Sequence, residues 1–173
     1  MSSTKDIEPI KQELEKKYQA VGKCSLESDK DSIMKLTDEL IDQSARYVVE
    51  SWESLPDLIG RVNIENPLPI SEAETVVVRV VEGAPELKDI YTLKRYSEVL
   101  SPTYSFLISK QPFNDQTRDY LENHPHILRF LRKASSTLSA GVPIIVMTWG
   151  GPGNLSLDSD LVDDDPFDAE HMW

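Results

Sequence analysis

Thr75-Val76-Val77-Val78-Arg79-Val80-Val81 is the stretch on which the fold turns. Its length suits a strand better than a helix, and all of its residues but Arg79 are β-branched. Alternation puts Val76, Val78 and Val80 on one face and Val77, Arg79 and Val81 on the other. Apolar side chains on both faces predict a strand covered on both sides, as at the centre of a largely parallel sheet. Arg79 then sits at a sheet edge, reaches past a helix to water, or pairs with an acid. A ligand-binding arginine is the alternative role.

Downstream, Gly83-Ala84-Pro85 breaks the strand. Leu87, Ile90, Leu93 and Leu100 predict a helix with Pro85 in its first turn, ended by Ser101-Pro102. Tyr104 to Ile108 is a second short strand. Asn114 caps a brief helix over Asp115 to Glu122. Pro125 opens another, carrying Ile127, Leu128, Leu131, Ala134 and Leu138 and closed by Gly141. Pro143 to Trp149 is a third strand, terminated by Gly150 to Gly153.

Upstream, Ile7, Ile10, Leu14, Tyr18 and Val21 lie on one stripe of a helix over residues 5–21, with Gly22 at its end. Ser28 and Asp31 form the aspartate variant of a capping box. Ile33, Leu36, Leu40, Ile41, Tyr47, Val48 and Trp52 extend an apolar face until Pro56 stops it. Two such helices predict an antiparallel hairpin. Their stripes must bury each other, the sheet, or a second copy of the chain. Asn63 to Ser71, with Pro67 and Pro69, reads as a linker.

The expected architecture is therefore α/β, or α+β if one edge strand is antiparallel. It comprises a small three-strand sheet with flanking helices over residues 63–153. A helical hairpin (1–62) precedes it, and a disordered acidic tail (154–173) follows.

The 173 residues carry a net charge of −12, and seven of those charges lie between Asp158 and Trp173, where no lysine or arginine occurs. This balance disfavours direct contact with nucleic acid, whose phosphates need clustered cations, and adhesion to anionic lipid. It suits solubility or a protein partner with a basic surface. The single cysteine, Cys24, forms no internal disulfide and fits a reducing compartment. The N-terminal residues hold no secretory apolar segment, and no apolar run is long enough to span a bilayer. The expected setting is the cytoplasm, the nucleus or a virus-associated complex.

No residue pattern assigns a catalytic, metal or cofactor site. His124-Pro125-His126 offers two imidazoles, but nothing in the spacing selects further ligands. Cys24 has no nucleophile motif around it. Phosphate-loop and dinucleotide fingerprints do not occur. If the strands are parallel, the loops at Glu82–Ala84, Ser109–Gln111 and Trp149–Gly153 meet at one sheet edge, where Lys110 and the glycine run would serve an anion.

The tail carries the remaining candidates: Asp163, Asp164, Asp165, Phe167 and Trp173. Phe167 would fill an apolar pocket on a partner while the aspartates meet its basic rim. Asp165-Pro166-Phe167 resembles the D-P-F motif by which endocytic accessory proteins bind adaptor appendages. The acidic stretch around it also resembles the acidic tips of bacterial single-stranded-DNA-binding proteins, where the Pro-Phe is terminal.

The leading expectation is a non-enzymatic interaction protein: an adaptor, assembly cofactor or regulatory subunit with an acidic aromatic docking tail. Its N-terminal helices could also join two copies. One alternative is a small α/β ligand-binding or hydrolytic enzyme using the strand-end loops. The other is an acidic mimic of nucleic acid, disfavoured because 18 basic residues are interspersed among the acids outside the tail.

Overall fold

The computed structural model describes residues 4–65, 72–132, 141–163 and 165–168. The valine run becomes β3 (Glu74–Val81), with Val76, Val77, Val78 and Val80 all buried. Beside it lie β4 (Tyr104–Ser109) and β6 (Gly141–Trp149), parallel to β3 and to each other. Helix α4 (Leu87–Leu100) crosses from β3 to β4. Glu86 and Asp89 cap its start reciprocally, and Ser101 closes it in a left-handed conformation at φ 47°. These strands fall where the hydrophobic pattern put them.

The sheet is larger than expected. Among the described residues seven strands form it, in the order β1-β2-β3-β4-β6-β5, with β7 also on β6. β1 (Gly22–Glu27) and β2 (Leu58–Ile64) add an antiparallel edge to β3. β7 (Leu155–Leu157) folds back antiparallel on the end of β6. The mixed sheet meets the alternative in which an α/β layer carries an antiparallel edge.

The helical hairpin is overturned. Helix α1 (Thr4–Tyr18) forms, and Ile10, Leu14 and Tyr18 of its stripe are buried, but β1 follows it directly. The second helix is broken into α2 (Lys30–Leu40) and the short α3 (Arg46–Glu50). Asp42 causes the interruption by accepting the Ala45 amide at 3.0 Å, a local turn that competes with the helix. The cap of α2 is also one residue along: Asp29, not Ser28, accepts from the Ser32 amide at 2.9 Å.

Register fixes which face each helix covers. Ser105 of β4 meets Ser97 of α4 at 2.7 Å, so Ser105, Leu107 and their sheet neighbours Val77 and Arg79 face α4. Tyr104 and Phe106 point the other way, where Tyr18 of α1 packs on both. One core layer thus lies under α1 and the other under α4.

Two further expectations fail near the C-terminus. Pro125 opens a single 3₁₀ turn (Pro125–Leu128) that runs into β5 (Arg129–Leu131), not a helix; Ala134 and Leu138 lie outside the described residues. The acidic tail is not free along its described part. From α5 (Asp115–Asn123), Arg118 holds Asp158 through two contacts at 2.6 and 3.2 Å. Val162 and Pro166 are buried, and Phe167 packs against the core. These apolar anchors outweigh the solvation of the intervening acids. Asp164 and Trp173 lie outside the described residues.

Candidate functional site

Glu27, Ile59 and Val77 stand in one row across β1, β2 and β3. Beyond that row α2 begins, the 51–57 segment arrives, and β3 runs out through Arg79 to Val81. These elements and the start of α1 enclose a cleft of about 860 Å³. Its apolar lining is Ile7, Ile33, Met34, Val49, Trp52 and Leu55. Glu8, Asp29, Glu50, Glu53 and Asp57 also line it, against Lys30 and Arg79 as the cationic side chains.

Arg79 adopts the paired role. Its Nη1 lies 3.3 Å from Asp57 and its Nη2 3.8 Å from Asp89 of α4. Asp57 also accepts the Val80 amide at 2.8 Å, and its own amide donates to the Val78 carbonyl at 3.0 Å. The segment over Trp52 to Asp57 is thereby pinned to the end of β3. Its other end is held by Trp52, edge-on to Tyr96 at 4.9 Å, while the Tyr96 hydroxyl donates to the Ser54 carbonyl at 2.8 Å. Trp52 Nε1 and Arg79 Nε are enclosed with no hydrogen-bond partner among the described residues. Asp29, on the rim, has its carboxyl held below the usual range by the hydrogen bonds from Ser32.

The strand-end loops do not assemble the anion site the sequence allowed. Lys110 is paired with Glu82 at 2.7 Å. Gly150 to Gly153 is the turn of the β6–β7 hairpin: the Gly150 amide donates to Asn154 and the Asn154 amide to Gly151. Gly151 and Gly153 supply the positive φ values, 109° and 78°, that this turn needs. His124 stacks on Tyr120 at 4.3 Å, with its Nδ1 2.9 Å from the Tyr120 carbonyl. Among the described residues no three His, Cys, Asp or Glu side chains gather as a metal site.

Of the tail candidates, Asp163 and Asp165 are exposed and Phe167 is half-buried. Asp165 accepts the Phe167 amide at 2.9 Å, which turns the chain so that the ring faces inward. The residues of the cleft carry no sequence motif. They come from five separate elements, α1, α2 with its cap, α3, the 51–57 segment and β3, which the strand pairings and the Asp57 contacts to β3 bring together.

Cys24 of β1 is half-buried, and burial, with the Glu15 carboxylate as a lesser cause, pushes its thiol up to about 12. It is therefore a neutral packing group at physiological pH rather than a nucleophile. Iodoacetamide at pH 8 is expected to alkylate it at least about a hundredfold more slowly in the folded chain than in urea. The raised pKa also sets a direction for stability. The contribution is whole below the ordinary thiol range and is lost as pH climbs through that range toward 12.

A scan against protein-family models, a search of curated proteins and a search of solved structures each returned no match. No helix among the described residues is long and apolar enough to cross a membrane.

Proposed function

We propose that this protein is a non-enzymatic interaction protein, an adaptor, assembly cofactor or regulatory subunit, that seats a basic amphipathic segment of a partner protein in the cleft. The observation that carries the reading is the pairing of an apolar floor with an acidic rim in one concavity of about 860 Å³. A helix laid in a groove needs that arrangement, with apolar anchors below and opposite charge at the edges. The net charge of −12 favours the same partner chemistry. A small-molecule pocket instead gathers a few polar groups at its centre. Here the inner charges Arg79 and Asp57 already engage each other, and Arg79 also engages Asp89.

The test uses an eighteen-residue leucine–lysine amphipathic peptide titrated into the full chain by calorimetry. Reversing the rim with E50K and E53K together is expected to weaken binding at least about tenfold, and placing a charge on the floor with M34E about as much. Glu98, exposed on α4 and away from the cleft, serves as control: E98K is expected to change affinity less than about twofold. Equal losses from E98K and the rim pair, or none from M34E, would show unspecific attraction to an acidic protein and remove the reading.

A further inference from the structure

We propose that a notch on the α1 face of the sheet is a second docking site, one that reads an acid-flanked phenylalanine, and that Phe167 of the chain itself is its resident occupant. The proposal stands apart from the cleft, which lies at the other end of α1. The notch is built by Tyr18 and Lys17 in the last turn of α1 and by Phe106 of β4. Tyr104 backs it, with its ring centre 5.7 Å from that of Tyr18.

Phe167 enters it in the two favoured aromatic geometries. It stands edge-on to Tyr18 at 5.0 Å and 75°, and lies stacked on Phe106 at 5.9 Å and 16°. The Lys17 ammonium sits 5.6 Å from the ring centre. Pro166 is buried beside it. The notch therefore has three separate criteria: a flat ring, a preceding proline, and negative charge near Lys17 and Lys16 at the helix C-terminus. The segment that leads into the ring carries such charge in the exposed Asp163 and Asp165.

Two observations make the occupant separable from the body. Phe167 is only half-buried, unlike Phe106 and Tyr18, which are fully enclosed. Backbone bonding to the sheet ends with the Asp158 amide on the Val146 carbonyl at 2.9 Å, where Arg118 also holds the Asp158 carboxylate; beyond it the segment meets the body through side chains, Val162 and then Pro166 and Phe167. A ring tethered about ten residues from its last strand contact acts on the notch at an effective concentration on the order of millimolar. That tether is enough to keep a weak site filled in cis, and an acidic peptide with the same Pro-Phe would compete for it in trans.

The experiment titrates a labelled peptide with the sequence of residues 158–173 into the full chain and follows fluorescence anisotropy. The F167A chain, whose notch lacks its ring, is expected to bind the peptide at least about tenfold more tightly than the unaltered chain, because the tethered competitor is gone. Adding K17E to F167A is expected to weaken binding about fivefold or more. A peptide carrying the same Phe167→Ala change is expected to bind neither chain. If F167A binds the peptide no better than the unaltered chain, or binds the altered peptide equally well, the proposal is overturned. Should F167A fail to fold, the unaltered chain decides. Millimolar peptide must then shift the ring resonances of Tyr18 and Phe106, and unchanged resonances overturn it.

Discussion

Replacing Arg79 with leucine is expected to lower the free energy of unfolding by about 3 kcal/mol at pH 7, read from urea denaturation. The loss does not come from the arginine as such. It comes from the acids that the substitution strands. The Asp57 and Asp89 side chains are 15% and 8% exposed, and the guanidinium lies between them. Neither acid is free to swing toward water. Asp57 is fixed by the Val80 amide at 2.8 Å, and Asp89 by the Glu86 amide at 2.9 Å. Removing one partner of such a group leaves uncompensated buried charge, which costs more than the intact pair contributes. Changing both acids to asparagine in the same chain is therefore expected to recover more than half of the loss, a coupling that independent sites would not show. A loss below about 1 kcal/mol would mean that water, not Arg79, satisfies these carboxylates.

The same substitution reaches the cleft. Asp57 ends the segment that carries Trp52 and Leu55, so loosening it moves one wall of the apolar floor. R79L is thus expected to weaken the leucine–lysine peptide as well, though it removes no acid from the cleft. Charge and shape can be separated by comparing it with the E50K and E53K pair, which leaves the wall in place.

How much of this was legible in the chain depends on where each element packs. β3, β4 and β6 are central strands buried on both faces, so nearly every residue must be apolar, and the runs at 75–81, 104–108 and 143–149 stand out. β1 is an edge strand with Leu26 buried under α1 and Lys23 and Ser25 exposed. One apolar face over six residues gives too little signal, and Gly22 at its start looks like a helix stop. β2 was readable in principle: Val62 and Ile64 alternate with Arg61 and Asn63, a period of two hidden by the Pro56 and Pro67 on either side. The tail misled for a different reason. Its average composition is that of a solvated segment, and averages suppress single anchors such as Val162 and Phe167. The cleft had no local signature, because its walls are separated by up to about seventy residues and meet only through strand pairing and tertiary contacts such as those of Asp57.

Gly60 is where that register is most exposed to change, and Gly60→Val is expected to cost more than about 3 kcal/mol. Gly60 lies opposite Leu26 in the β1–β2 pair and opposite Val76 in the β2–β3 pair. A Cβ built on it would overlap the Ser25 carbonyl oxygen and stand 2.8 Å from both the Cα and a terminal methyl of Leu26. A methyl group can rotate away, but a backbone carbonyl in a paired strand cannot. Strand β1 must therefore move, and it does not move alone. The Leu26 amide donates to Glu15 of α1 at 2.8 Å, so displacing β1 also pulls on the helix. Helix α1 holds Ile7 and Glu8 of the cleft at one end and Lys17 and Tyr18 of the notch at the other. Amide exchange in G60V is accordingly expected to quicken across residues 22–27 and α1 while β4 and β6 keep their protection. Uniform acceleration across all strands would instead mean that the antiparallel edge and the parallel centre unfold as one unit, and that the two proposed sites share a single stability rather than one hinged on β1.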